Sequence, residues 1–331
     1  MKCTVLGAGA WGTTFGQVMA DAGNDVTMWA IEPEIVEGIR DRHHNAVRLP
    51  SVAKLPDNMT ATGDRAQAVK DADIIVVAIA AQFARVALAE FKDLIPDTAV
   101  VVSLMKGIER NTKKRMDEVV REALDLPAER FAAVSGPNLS KEIADRQPAA
   151  TVVACENLDN ARKVASACTT SYFKAFITSD VIGLEMCGSL KNVVALAVGM
   201  ARGAGYGENT AAMIETRGLA ELTALGKAAG ADPKTFAGLA GVGDLIATCG
   251  SPLSRNYTFG SNLGKGLSVE EATKVSNGVA EGVPTTDAVV ALGKQYGVPT
   301  PLATAMSHVL SDGISCAQML SELFGEGISE E

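Results

Sequence analysis

The stretch CTVLGAGAWG, Cys3 to Gly12, constrains the fold of this chain more than any other. Four residues that suit a strand run directly into glycines at positions 7, 9 and 12, and a helical pattern follows. Gly7 permits a tight turn, Gly9 lets the backbone approach a charged group, and Gly12 lets the new helix pack close to the strand. The N-terminus of that helix then faces whatever anion lies over the loop. A lone glycine triplet could be plain turn punctuation. At the end of a first strand, inside a βαβ pattern, it predicts a dinucleotide pyrophosphate site.

The pattern continues through the first half. Cys3 to Leu6, Asp25 to Trp29, Ile74 to Ile79 and Val100 to Leu104 read as strands, and the segments between them as crossovers of a parallel sheet. Phe131 to Val134, Thr151 to Cys155 and Tyr172 to Ile177 could extend it. Beyond about Asp180 alanine, leucine and glycine dominate. Helix starts recur there, with Asp232 before Pro233 and a capping box from Ser268 to Glu271. The expected architecture is an α/β fold. A Rossmann-type doubly wound sheet with added strands fills residues 1–180, and an all-helical domain fills 181–331.

Composition excludes several classes. A formal net charge of −9 over 331 residues argues against a general nucleic-acid binder, which needs a broad basic face. The best candidate for a membrane span is interrupted by Gly199 and Gly203 and followed by Arg202, so insertion in a bilayer is not expected. The N-terminus reads as a buried strand rather than a signal peptide. Six scattered cysteines form no CxxC and no pairing with histidine, so neither a metal site nor a disulfide framework is expected. Together these point to a cytoplasmic protein.

Chemistry-bearing residues cluster at a few places. In SLMKGIE, Lys106 follows a central strand at the edge where open α/β sheets bind ligands, and SGPN, Ser135 to Asn138, repeats that placement one strand later. Glu32 lies about twenty residues after Gly12, where a carboxylate can hold a ribose; it also suits a solvated turn with Pro33 and Glu34. In CGSLKNVVALAVGMA, Lys191 carries the one charge, and a lysine there could simply snorkel to the surface. GYGENTAAMIETRG enters a helix from Gly205, and GVGDLIATC puts Asp244 at a helix start. SRN, Ser254 to Asn256, offers a hydroxyl, a guanidinium and an amide, a set that matches phosphate oxygens, although the triplet alone fits an exposed loop arginine better.

The order GAGAWG, MKG, SGP, KNV, GYGEN with TRG, GVGDL with TC, and SRN resembles the NAD(P)-dependent glycerol-3-phosphate dehydrogenases of the soluble bacterial type. The resemblance runs from Cys3 to at least Gly282. It implies NAD or NADP as cofactor, a phosphorylated small-molecule substrate, and supply of glycerol 3-phosphate for phospholipid. Lys191 is then the proton acceptor, Lys106 touches substrate and nicotinamide, and Asp244 completes the catalytic set. Gly136, Ser254, Arg255 and Asn256 match substrate contacts. Gly7, Gly9, Ala10, Trp11, Gly12, Ser140, Arg255, Val279 and Glu281 match cofactor positions. Two departures bear on the cofactor: the family often has a basic residue or histidine where this chain has Ile31 and Glu32, and a tyrosine where it has Arg48. Glu32 disfavours a 2′-phosphate, whereas Arg48 could supply a cation for one.

Lysine can act as the base if burial and a neighbouring cation, with Lys106 in view, favour its neutral form. Related Rossmann-plus-helical dehydrogenases, such as ketopantoate reductases and hydroxyacid types, and a non-catalytic NAD(H) sensor are the competing readings. A homodimer is the expected assembly.

Overall fold

The computed structural model describes residues 1–276 and 280–325. One eight-stranded sheet runs in the order β3-β2-β1-β4-β5-β6-β7-β8. Its strands are β1 (Lys2–Leu6), β2 (Asp25–Trp29), β3 (Met59–Thr62), β4 (Ile74–Val77), β5 (Val100–Ser103), β6 (Phe131–Ser135), β7 (Ala149–Ala154) and β8 (Phe173–Thr178). All neighbours pair parallel except β6 and β7. The central strands IIVV and VVVS are wholly buried, as β-branched runs covered on both faces must be. Strand order reverses at β1, between β2 and β4, which makes the end of β1 the point where such sheets bind ligands.

Strand β3 was not among the elements expected from sequence, where residues 30–73 read as one crossover. Its four residues, MTAT, carry little hydrophobic pattern of their own. Pairing with β2, Val26 opposite Met59 through Trp29 opposite Thr62, makes them a strand. Helices α1 (Ala10–Asp21), α2 (Pro33–Arg42), α3 (Arg65–Val69), α4 (Ala84–Ala89), α5 (Met116–Leu124), α6 (Ser140–Ala144) and α7 (Leu158–Cys168) alternate with the strands.

The second half is helical: α8 (Val181–Gly203), α9 (Glu208–Ala228), α10 (Pro233–Phe236), α11 (Asp244–Gly250), α12 (Arg255–Gly264), α13 (Val269–Val275), α14 (Gly282–Tyr296), α15 (Pro301–Asp312) and α16 (Cys316–Phe324). Asp232 caps α10 through the Lys234 N–H, and Ser268 with Glu271 forms the capping box of α13. Two compact units result, residues 1–106 with 114–185 and residues 107–113 with 186–331. The division therefore falls inside α8, after Glu185, rather than at 181. Glu185 accepts a hydrogen bond from the Met116 N–H at the start of α5, which binds the first turn of α8 to the sheet-bearing unit.

Gly199 and Gly203 do not interrupt α8. The helix is continuous for 23 residues and by length and composition could cross a membrane, but 94% of its most apolar window is buried within the protein. It is a core helix. Its glycines are points of backbone contact with α12. A Cβ on Gly199 would lie 2.1 Å from the Tyr257 oxygen, and one on Gly203 2.1 Å from that of Ser261. Reciprocally, a Cβ on Gly260 would lie 2.0 Å from the Leu196 oxygen and one on Gly264 2.0 Å from that of Met200. Glycines four apart on both helices let the two backbones touch.

Glu221, on α9, is buried and accepts from the Leu302 and Ala303 N–H groups at 2.7 and 3.2 Å, occupying the start of α15. Burial pushes its carboxyl up from 4.5 to about 7 despite those donors.

Two expectations follow. Gly199→Ala inserts a methyl where backbone already sits, so it should cost about 1–3 kcal/mol or more in urea unfolding. Because the folded state holds the Glu221 proton more tightly than the unfolded state, its contribution is complete below about pH 4.5 and lost as pH rises through about 7. Wild-type stability should therefore fall relative to Glu221→Gln over that interval, which parallel urea titrations between pH 5 and 8 would measure.

Candidate active site

The register aligns the ends of three strands: Leu6 pairs with Trp29 on one side and Val77 on the other. The glycine loop begins one residue later. Gly7 has φ +109°, a region where a side chain is strained, and a Cβ there would also meet the Ala78 oxygen at 2.6 Å. A Cβ on Gly12 would lie 2.2 Å from the Gly7 oxygen, so α1 packs directly on the turn. Around Gly9 there is open space: a Cβ would meet nothing within 4 Å. Gly9 also forms the N-cap of α1, and no side chain caps that helix among the described residues. Ala10 and Trp11 are its first two residues. A tight turn, an uncapped helix start and an unfilled cradle fit a dinucleotide pyrophosphate.

Two large apolar side chains that follow the strands flanking β1 are exposed, and of these Phe83 was not singled out from sequence. Ile31 follows β2 and is 73% exposed; Phe83 follows β4 and is 66% exposed. A large apolar residue just past a strand end was the signal available in the sequence.

Glu32 forms the N-cap of α2 and is ion-paired with Arg48, Nη2 to Oε1 at 3.1 Å. The two residues that bear oppositely on the cofactor thus act on each other. Behind them the buried Asn45, also not singled out, bonds Ala8, Thr13 and the Arg48 backbone. Lys106 donates to the Gly136 carbonyl at 3.3 Å, joining the MKG and SGP clusters across β5 and β6. Ser140 opens α6, and its carbonyl accepts from Thr14 of α1 at 3.3 Å.

In the second unit Lys191 does not snorkel: its side chain is 6% exposed. Its Nζ donates to Asp244 Oδ1 and to Thr248 Oγ1, both at 2.5 Å. Of the residues expected to form the catalytic set with Lys191, Asp244 lies at 2.5 Å. Asp244 opens α11, directly after a wide π-helical turn over Leu239–Gly243. One turn of α11 separates Asp244 from Thr248, so both reach the same ammonium. Thr248 lay in the TC of the quoted motif without a role; its i+4 spacing from Asp244 was the readable sign.

Asn192 Oδ1 accepts from Asn256 Nδ2 at 2.9 Å, and Asn256 Oδ1 accepts from the Gly282 N–H at 2.8 Å. Asn256 thereby ties α8, α12 and the start of α14 together, and most of its amide is committed to that work. Ser254 caps α12 through the Tyr257 N–H at 3.3 Å. Arg255, the first residue of α12, is exposed and makes no hydrogen bond or ion pair among the described residues. An uncommitted guanidinium at a helix start can hold an oxyanion. Glu281 is the N-cap of α14, while Val279 lies outside the described residues. In the TRG cluster, Gly218 serves packing: a Cβ there would lie 2.7 Å from a Val194 methyl. Arg217 is exposed.

A buried ammonium that loses its counter-ion costs far more than the pair contributes. Asp244→Leu should lower stability by about 3–5 kcal/mol, and adding Lys191→Met should restore most of it. Chemical denaturation of both variants checks this.

Comparison with known proteins agrees with the geometry. Residues 2–161 match the NAD-dependent glycerol-3-phosphate dehydrogenase N-terminus and residues 180–321 the C-terminus of the same family. A glycerol-3-phosphate dehydrogenase [NAD(P)+] of Bifidobacterium longum subsp. infantis is 85% identical over 99% of this chain and 98% of its own. One from Corynebacterium kroppenstedtii is 51% identical over 96% of each. Among solved structures, the glycerol-3-phosphate dehydrogenase of Coxiella burnetii superposes with a TM-score of 0.92 at 30% identity, covering 98% of this chain and 99% of that one. The chain belongs to the NAD-dependent glycerol-3-phosphate dehydrogenase family.

Proposed function

We propose that this enzyme interconverts dihydroxyacetone phosphate and sn-glycerol 3-phosphate, with Lys191 as the proton-transfer group and Arg255 as the principal phosphate ligand. One observation carries the assignment: the Asn192–Asn256 hydrogen bond. It couples the residue beside Lys191 to the residue beside Arg255, so a proton donor and an oxyanion binder are held at a set spacing. A small phosphorylated substrate needs that spacing, because its phosphate and reacting carbon belong to one short molecule.

In the reductive direction the buried pair with Asp244 keeps Lys191 as the ammonium. That ammonium polarises the substrate carbonyl and gives a proton to the oxygen as the carbon is reduced. Asp244 and Thr248 hold Nζ in place, and the proton returns to Nζ when the alcohol is oxidised. The nicotinamide supplies or takes the hydride when bound. Lys106, anchored on the Gly136 carbonyl, belongs to this reading as a contact of substrate and nicotinamide carried over from the family. Ser254 and the remaining N–H of Asn256 complete the phosphate's hydrogen bonds. Ser140, Glu281 and Val279 are part of this reading as cofactor contacts carried over from the family.

Cytoplasmic location, a homodimer and supply of glycerol 3-phosphate for phospholipid belong to the same proposal. Six buried cysteines, with no disulfide among the described residues, and the apolar helical half support the first two.

Purified enzyme should oxidise reduced cofactor with dihydroxyacetone phosphate and hardly at all with dihydroxyacetone, since without phosphate the polar groups at the head of α12 go unmatched. Lys191→Ala should lower kcat at least about a thousandfold with cofactor affinity retained. Arg255→Ala should act mainly through KM, raising it about 10- to 100-fold. Retained turnover in Lys191→Ala would remove that residue from the mechanism.

A further inference from the structure

We propose that Glu185 is a positioning residue for the reaction, fastening the first turns of α8 to the start of α5 so that the turn carrying Lys191 is held for catalysis. The proposal rests on reading Lys191 as the proton-transfer group and the glycine loop as the dinucleotide cradle. That reading gives the cofactor to the sheet-bearing unit and the lysine to the helical one, so turnover depends on the chain connections that join them. There are three, after Lys106, after Lys113 and after Glu185. Glu185 is the last residue before one connection and Arg115 the second residue after another, and these two ends are tied together.

The tie is a buried polar cluster that the mechanism does not use. Glu185 is 5% exposed, and its Oε2 accepts from the Met116 N–H at 3.1 Å. Arg115, the N-cap of α5, grips Asp117 at two points, Nε to Oδ1 at 2.9 Å and Nη2 to Oδ2 at 3.0 Å. Its own N–H donates to Glu118, which closes a capping box. The start of α5 therefore already has two carboxylates, Asp117 and Glu118, to meet its positive end. A third, buried near Asp117, adds desolvation and like-charge repulsion. Burial, and after it Asp117, pushes the Glu185 carboxyl well above the usual carboxylate range, with Arg115 opposing them. An apolar residue would fill this place at less cost, so stability does not account for the carboxyl; what it holds does.

What it holds is a helix. Asp180 caps α8 by accepting from the Gly183 N–H at 2.9 Å, and Glu185 ties the following turn to α5. Lys191 lies six residues further along the same unbroken helix, which is about 9 Å along its axis. A continuous helix is stiff, so a shift or rotation at Glu185 is passed on to Lys191. A misplacement of about 1 Å at a reacting group can cost about a hundredfold in rate.

The test compares Glu185→Ala, Glu185→Gln and Arg115→Lys in the full-length enzyme. Each is measured for NADH affinity by nicotinamide fluorescence, for kcat and KM with dihydroxyacetone phosphate, and for amide hydrogen exchange at the start of α5. Glu185→Ala should lower kcat about 10- to 100-fold and speed exchange at Met116. NADH affinity and KM should stay within about threefold, since the glycine loop and Arg255 are untouched. The pH profile of kcat should keep its shape, because Lys191 and Asp244 are unchanged. Glu185→Gln keeps an acceptor oxygen for the Met116 N–H in a place where burial disfavours charge, and should restore kcat to within about threefold of wild type. Arg115→Lys keeps the charge but loses the two-point grip, and its kcat should fall between the other two. Should Glu185→Ala fail to fold, Arg115→Lys carries the same comparison. A merely structural Glu185 would lower the urea midpoint and leave kcat of the folded enzyme at the wild-type value, which would overturn the proposal. A Glu185→Gln enzyme as slow as Glu185→Ala would overturn it too. Wild type that binds no dinucleotide, or Lys191→Ala enzyme that turns over, would overturn the reading beneath it instead.

Discussion

The chemistry of the helical unit depends on two helices meeting backbone to backbone. Gly199 and Gly203 on α8 face Tyr257 and Ser261, and Gly260 and Gly264 on α12 face Leu196 and Met200. Any side chain at these positions would push the helices apart. At this separation an amide on one helix reaches an amide on the other, and Asn256 donates to Asn192 at 2.9 Å. Lys191 on one helix and Arg255 on the other are carried by the two backbones that those four glycines bring together.

The same close packing explains how a lysine ends up in a dry interior. A core helix with 94% of its apolar window buried offers Lys191 no route to solvent, so a counter-charge has to come to it. The π-helical turn before α11 delivers Asp244 to that place, and the helix that follows delivers Thr248 one turn later. Burial alone would favour the neutral amine; the carboxylate at 2.5 Å favours the ammonium. The two influences oppose each other at Nζ, and Thr248 adds a second acceptor to the pair.

In the sheet-bearing unit the organising constraint is the reversal of strand order at β1. The glycine loop follows β1 at that reversal, while Lys106 is held on the Gly136 carbonyl and Glu32 is paired with Arg48. Asn45 shows how such a site is made rigid without secondary structure. One buried amide satisfies a loop carbonyl, a helix hydroxyl and a backbone N–H at once, which leaves the surrounding chain little freedom.

The sequence by itself determined the classes of element and most of the chemical groups. Glycine spacing after a strand, β-branched runs and capping residues are local signals, and they were enough for the parallel sheet, the helical second half and the residues of the KN, GVGDL and SRN clusters. It did not determine which groups touch. Strand β3 gets its conformation from pairing with β2. Glu32 and Arg48 looked like alternatives and are partners. Lys191 lies against Asp244, 53 residues away, while Asn45 acts through bonds that no local pattern announces. Propensity and patterning act over a few residues, whereas ion pairs and buried amide bonds join segments that only the packed chain brings together. The tertiary structure therefore decided which groups meet: Lys191 with Asp244 and Thr248, Asn192 with Asn256, and Glu32 with Arg48.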